Sequence, residues 1–318
     1  MNNKYFLKIF LILLSFIFST IVLAKTGGSI TIVQGPEPVS LDPSIDINKT
    51  SINVQYTMFD PLINNNVNNN ITPWLAESWK TVSPKQWRFS LRKNVYFHNN
   101  EKFNAESVKF SINVYQNSKG EGSKFFKFIE KVEIVDEYTV DIFTKTVNPI
   151  VPRTMAFLHI LPPKHYSKLG PNKFSNNPVG TGPFTFSKWD SGVQIVVKAN
   201  RNYWGGRPNL DEVIFKPGPE ASTRVAMLQT GAADIIANVP PELAETMQYS
   251  PNVKISQTPS LRMIFVEFNP FKPPFNDVRV RKALNYGVNK SELIEKILGN
   301  YATRIKGVIL PGWLGYNP

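Results

Sequence analysis

The sequence predicts an α/β fold in which a main sheet carries an antiparallel insertion. Three observations lead there. Strand and helix patterns interleave along the 318 residues without a regular β-α-β repeat. Two hairpins, around Asp136-Glu137 and around Asp190-Ser191-Gly192, interrupt any parallel sheet. Hydrophobic residues make up 42% and charged residues 19%, which suits packed cores rather than a disordered chain.

The elements follow in order. Residues 1–24 combine Lys4 and Lys8, an apolar run Ile9–Leu23 and a small residue, Ala24, before Lys25. This is the layout of a secretory signal peptide cleaved after Ala24. The run is short for a membrane span of roughly 20 residues. Ser29–Gln34 alternates as a strand and stops at Gly35-Pro36. Ile52, Tyr56 and Phe59 have helical spacing, ended by Pro61. Asn64–Asn66 and Asn68–Asn70 flank Val67 as a polar loop at a strand turn. Trp74–Trp79 reads as a short surface element, and Trp87–Leu91 as a half-buried strand. Asn104 caps a helix Ala105–Asn117 with Val108, Ile112 and Tyr115 on one face. Val132–Val135 with Tyr138–Phe143, and Phe184–Phe186 with Val193–Val197, are the hairpins. Ser222 is the expected cap of Thr223–Thr230, with Gly231 behind it. Asp277 caps Val278–Tyr286, and Asn289 with Glu292 forms a capping box for Ser291–Leu298.

Composition narrows the function. With no cysteine, disulfides, thiolate metal sites, a Cys nucleophile and a bacterial lipoprotein anchor are excluded. Three histidines, His98, His159 and His165, make a His-rich metal site a poor expectation. The net charge of +12 comes from scattered lysines, so a solvated surface is expected rather than nucleic acid. No G-x-S-x-G elbow, phosphate loop or H-E-x-x-H is present. His159 sits in an apolar stretch, Phe157 to Leu161, and reads as a satisfied core histidine or a ligand contact. The carboxylates show no acid–base spacing. A binding protein is favoured over an exported hydrolase, with no cofactor and no metal. Phe125-Phe126 follows a Gly/Ser/Lys loop and is either core or cleft-facing.

Several stretches then line up with a known family. They are Ser40-Leu41-Asp42-Pro43, Phe59-Asp60-Pro61-Leu62, Leu75-Ala76-Glu77-Ser78-Trp79 and Trp87–Phe97 continuing to Phe103–Val108. Pro178-Val179-Gly180-Thr181-Gly182-Pro183-Phe184, Asn202-Tyr203-Trp204 and Val278–Tyr286 complete the series. Ser107 stands where the family usually has an acid. In this order they resemble the extracytoplasmic solute-binding proteins of family 5, the dipeptide-, oligopeptide- and nickel-binding components of ABC importers. Gly180 and Gly182 read as positions whose backbone a side chain would forbid.

The resemblance implies a periplasmic-binding-protein-like two-lobe fold of type II (cluster C) with an inserted α+β domain. Lobe I is expected over 25–58 and 175–269, the insertion over 59–174, and the start of lobe II over 270–318. Family members run on beyond this length, so most of lobe II is expected to be missing. Apolar surface should then be exposed, and a ligand should not be clamped by this chain alone. The implied function is periplasmic binding of short peptides, as a monomer, for delivery to ABC permease transmembrane subunits. The alternatives are a nickel chelate, an opine or an oligosaccharide on the same fold, or a non-functional truncated fragment. The implied ligand contacts are Ser44, Asp46, Ile47, Asn48 and Lys49 of one loop, Phe125 and Phe126, and His159. His159 falls near an arginine used by nickel-type relatives, and the lack of an arginine at that position counts against a nickel chelate.

Overall fold

The structure, a computed structural model, describes residues 26–258, 260, 262–307, 309–310 and 315–316. The leader expected over 1–24 lies outside them.

Two sheets form the body. β1 (Ser29–Gln34) begins the main one. α1 (Lys49–Met58) follows, then a small hairpin of β2 (Ile63–Asn65) and β3 (Ile71–Pro73). β4 (Ala76–Ser83) and β5 (Gln86–Leu91) open the second sheet. α2 (Ala105–Asn117) leads to β6 (Ile129–Asp136) and β7 (Thr139–Thr144). A short α3 (Val151–Thr154) precedes α4 (Pro163–Ser175), which breaks at Gly170. β8 (Phe184–Asp190), β9 (Gln194–Ala199) and β10 (Glu212–Pro217) return to the main sheet. α5 (Ala221–Gln229), β11 (Ile235–Ile236), α6 (Pro241–Met247) and α7 (Val278–Gly287) come last among the longer pieces.

The main sheet has the order β11-β1-β10-β9-β8. β1 runs parallel to β10 and β11, while β10, β9 and β8 are antiparallel. The second sheet, β4-β5-β7-β6, is wholly antiparallel. Its strands put Trp79, Phe89, Val140 and Ile134 in one cross-strand row. Both Phe89 and Val140 are buried. α2 packs on this sheet through Val108, Ile112 and Tyr115, the face its spacing predicts. Asn104 Oδ1 accepts from the Glu106 and Ser107 amides at 3.1 and 3.3 Å, capping the helix as expected. The neighbouring row carries Lys80, Arg88, Asp141 and Glu133. Arg88 forks onto Asp141 with two bonds of 2.7 Å, and this pairing holds the Asp141 carboxyl below the usual carboxylate range. One apolar core runs from this sheet to the main one, through Phe89, Phe126, Met58, Phe59, Val197 and Phe215.

Four local expectations are corrected. α1 begins at Lys49, not Ile52, because Thr50 and Ser51 are buried polar residues that apolar spacing does not count. Trp74–Trp79 is not a surface element: Leu75 and Ala76 are fully buried and Ala76 opens β4. The second-sheet hairpin turns at Glu137-Tyr138, since Asp136 pairs with Thr139 and its Oδ1 accepts from Tyr138 N at 2.8 Å. Ser222 does not cap α5. The helix starts at Ala221, and its entry is set by Arg224, whose guanidinium donates to the carbonyls of Gly218, Pro219, Ala237 and Asn238.

The remainder packs differently. Among the described residues, 262–268 belongs to no helix or strand and makes no backbone bond to one. α7 is capped by Asp277 as expected, yet buries none of its residues. Ile264, Phe265, Val266, Phe271 and Tyr286 are all exposed.

Candidate functional site

Three segments meet on one face: the loop before α1, the loop after α2, and the stretch 157–161. Two carboxylates shape the first. Asp42 accepts from Ser44 N at 2.9 Å, Ser44 Oγ at 2.7 Å and Tyr166 OH at 2.7 Å. Burial pushes the Asp42 carboxyl up, and these donors oppose the shift. Asp46 accepts from Val39 N at 3.2 Å, Asn48 N at 2.9 Å, Asn48 Nδ2 at 2.7 Å and Ser51 Oγ. Ser44 and Asp46 are therefore buried and occupied inside their own loop. Ile47 is half-buried, while Asn48 and Lys49 are exposed at the helix entry.

The second loop leans on the first. Ser118 Oγ donates to Ser44 O at 2.8 Å. A side chain at Gly120 would put its Cβ 2.3 Å from Ile45 O, so only glycine permits this approach. The loop ends at the two phenylalanines, which the structure separates. Phe126 is fully buried, edge-on to Tyr115 at 4.9 Å, so its ring faces the core and not a cleft. Phe125 is exposed and stacks on Phe157, with centroids 5.1 Å apart and planes 12° from parallel.

Phe157 and Tyr56 escaped the sequence reading. Phe157 closes a short 3-10 turn and is exposed, whereas Leu158 and His159 after it are buried. No local pattern singles either out: Phe157 opens an almost unbroken apolar stretch, and Tyr56 lies on a helix whose buried residues include polar ones. His159 is buried edge-on to Tyr56 at 4.7 Å and to Phe59 at 6.4 Å. Its Nε2 has no hydrogen-bond partner among the described residues, so it is not the fully satisfied core histidine. Burial lowers its pKa to about 4, leaving the ring neutral at pH 7.

One residue fixes the third segment in place. Asp60 carries a carboxylate that accepts from Trp74 Nε1 at 2.8 Å, Tyr203 OH at 2.9 Å, Thr181 Oγ1 at 2.9 Å and Trp204 Nε1 at 2.9 Å. Burial pushes its pKa up against these four donors. The backbone around it pairs with the site: Ile160 N donates to Asp60 O at 3.2 Å, and Leu62 N to Leu158 O at 2.9 Å. Sequence fragments that read as separate thus converge on one carboxylate. Gly180 and Gly182 serve the same junction. Their φ angles are not in the left-handed region. A Cβ would instead lie 2.1 Å from Met58 O at Gly180 and 2.6 Å from Met58 C at Gly182, so the need is for space, not for an unusual backbone.

The face offers exposed rings, a buried neutral imidazole and an exposed lysine. Its carboxylates, Asp42 and Asp46, are spent on structural bonds, which suits binding better than acid–base chemistry. Among the described residues, no group of three His, Cys, Asp or Glu could hold a metal ion. No helix among them is long and apolar enough to cross a membrane.

Known proteins agree with this architecture. Residues 70–318 match the model for bacterial extracellular solute-binding proteins, family 5 Middle. Heme-binding protein A of Haemophilus influenzae is 31% identical over 92% of this chain and 59% of its own length. The dipeptide-binding protein of Escherichia coli is 32% identical over 78% of this chain and 51% of its own length. The solved periplasmic binding protein DppA from Helicobacter pylori, in complex with the peptide STSA, superposes with a TM-score of 0.79 at 27% identity. That match covers 92% of this chain and 62% of DppA, so the chain spans half to three fifths of these relatives. The mixed α/β sheets are those of the corresponding part of the two-lobe binding-protein fold. The chain belongs to family 5 of the bacterial extracellular solute-binding proteins.

Proposed function

We propose that the protein binds short peptides outside the cytoplasm and passes them to the transmembrane subunits of an ABC permease. The observation that carries this reading is the open face where the Ser44–Lys49 loop, Phe125 and the Phe157–His159 segment meet. It joins exposed rings, which suit side chains, to a loop held rigid by Asp42 and Asp46. A rigid, largely preformed site lowers the entropic cost of binding. The dipeptide-binding relative and the peptide-bound DppA support the solute class.

The same reading includes export with cleavage after Ala24, a periplasmic monomer, and no chemistry on the solute. It divides the chain into lobe I (25–58 and 175–269), an insertion domain (59–174) and the start of lobe II (270–318). The test is incubation of the purified chain with a pool of di- to pentapeptides, followed by recovery and mass spectrometry of what is retained. Because this chain alone is not expected to clamp a ligand between lobes, weak but selective enrichment of intact peptides on the open face is expected. Cleaved products would make the protein a hydrolase, and no enrichment would remove the peptide-binding reading for this chain.

A further inference from the structure

Positive charge is not spread evenly along the chain. Residues 26–250 carry 23 Lys and Arg against 20 Asp and Glu, a net +3. Residues 251–318 carry ten against four, a net +6. This last fifth is also the part that packs least. α7 has three cations, Arg279, Arg281 and Lys282, no acid and no buried residue. Val280, Ala283, Leu284 and Gly287 follow the i, i+3, i+4, i+7 spacing of an apolar stripe, and the cations lie outside it.

The flanks continue the pattern. Phe268 stacks on Phe275 with centroids 5.0 Å apart, and Arg281 donates to Phe275 O, which ties the preceding stretch to the helix. Phe271 and Tyr286 are each 90% exposed. Lys290 Nζ donates to Asn285 Oδ1 at 2.8 Å, so the end of α7 adjoins an opening of about 400 Å³. Lys290, Arg304, Ile305 and Lys306 line that opening, without a carboxylate.

Apolar exposure alone says that something covers this segment; the charge says what. A second copy would bring two such charges face to face, with acids outnumbered on both sides. A protein packed over the helix would strip water from its cations, a cost offset only by matched acids. A bilayer surface asks for neither. There apolar side chains enter the acyl boundary, long cationic side chains reach back to the hydrated headgroups, and anionic phosphates supply the opposite charge.

We propose that residues 262–306, with α7 and the adjoining basic opening, dock on an anionic lipid surface. The apolar stripe meets the acyl boundary, and Lys290, Arg304 and Lys306 gather lipid phosphates. The inference goes beyond the peptide-binding reading and stands without it.

The test is co-sedimentation with vesicles of phosphatidylcholine alone and of phosphatidylcholine mixed with phosphatidylglycerol. The chain is used without residues 1–24, whose apolar run would itself seek membranes. Binding to the anionic vesicles only, lost as salt is raised, is expected. Arg304→Gln/Lys306→Gln should weaken it about 25-fold, at roughly five-fold per cation near the surface. Leu284→Ser should weaken it several-fold, and because α7 buries nothing, an unchanged circular dichroism spectrum is expected of it. Lys164→Gln/Lys168→Gln removes two exposed cations elsewhere and should change nothing. No binding to anionic vesicles would leave the segment to a protein cover and overturn the proposal. Equal binding to neutral vesicles, or an equal loss in the Lys164/Lys168 variant, would overturn it too. So would a dimer in light scattering whose formation abolishes vesicle binding, which would assign the segment to a second copy. Peptide retention is expected to be the same in every variant, so failure here leaves the peptide-binding reading in place.

Discussion

Mild acid should destabilise this protein, and two desolvated histidines, the half-buried His98 and the buried His159, set the size of the effect. His98 holds the glycine segment at the junction. Gly180 N donates to its Nδ1 at 3.3 Å, and its Nε2 faces Gly182 O at 3.0 Å. That pattern fixes the neutral ring with the proton on Nε2. A second proton on Nδ1 removes the acceptor. His159 lies buried between Tyr56 and Phe59. Burial lowers both pKa values from 6.5 to about 4. The unfolded chain therefore takes up both protons first as the pH falls. The stability is intact above about pH 6.5 and is lost progressively toward pH 4. A shift of that size costs about 2 kcal/mol per histidine at pH 5, so about 4 kcal/mol for the pair. Against a total of about 5–15 kcal/mol, this is a large share. Asp42 and Asp60, raised by burial, act in the opposite sense, gaining stability as the pH falls through their folded values toward 3.8. The histidine contribution is isolated by comparing the wild type with His98→Gln and with the double variant His98→Gln/His159→Gln. Thermal melts between pH 7.5 and 4.5 should show the wild type losing roughly 10 °C by pH 5. The single variant should lose about half as much and the double variant little. Equal losses in all three proteins would refute the assignment to these rings.

Other perturbations have distinct sizes. Asp60→Ala leaves four donors, one buried and three half-buried, without an acceptor and should cost about 3 kcal/mol or more in urea unfolding, with Asp60→Asn much milder. Gly182→Ala forces a Cβ onto the Met58 backbone and should cost about 2 kcal/mol by the same measurement. The adjacent phenylalanines should part company: Phe126→Ala loses about 3–5 kcal/mol, whereas Phe125→Ala stays within about 1 kcal/mol of wild type. Asn104→Ala removes the side-chain acceptor at the start of α2 and should cost about 1 kcal/mol.

Much of the fold is legible because its signals are local. β1 and β5 announce themselves by alternation, α2 by its cap and spacing, and Gly192 and Gly231 by the turns they permit. Where a boundary depends on a distant partner, local reading slips. α5 starts at Ala221 because Arg224 reaches carbonyls on both sides of the helix. Thr50 and Ser51 look like surface residues until their burial is seen. In the site, residue type alone nominated both phenylalanines, and only packing told the buried Phe126 from the exposed Phe125.

By itself the sequence determined the α/β class, the antiparallel insertion, the absence of thiol chemistry and, through its ordered motifs, the family. The tertiary structure alone decided what those motifs are for. Asp60 meets Thr181, Tyr203 and Trp204 across more than a hundred residues of chain, and Phe125 meets Phe157 only because two loops fold onto one face. Hydrogen bonds and ring contacts act over a few ångströms. Which residues come within that distance is set by how the whole chain packs, not by their order along it.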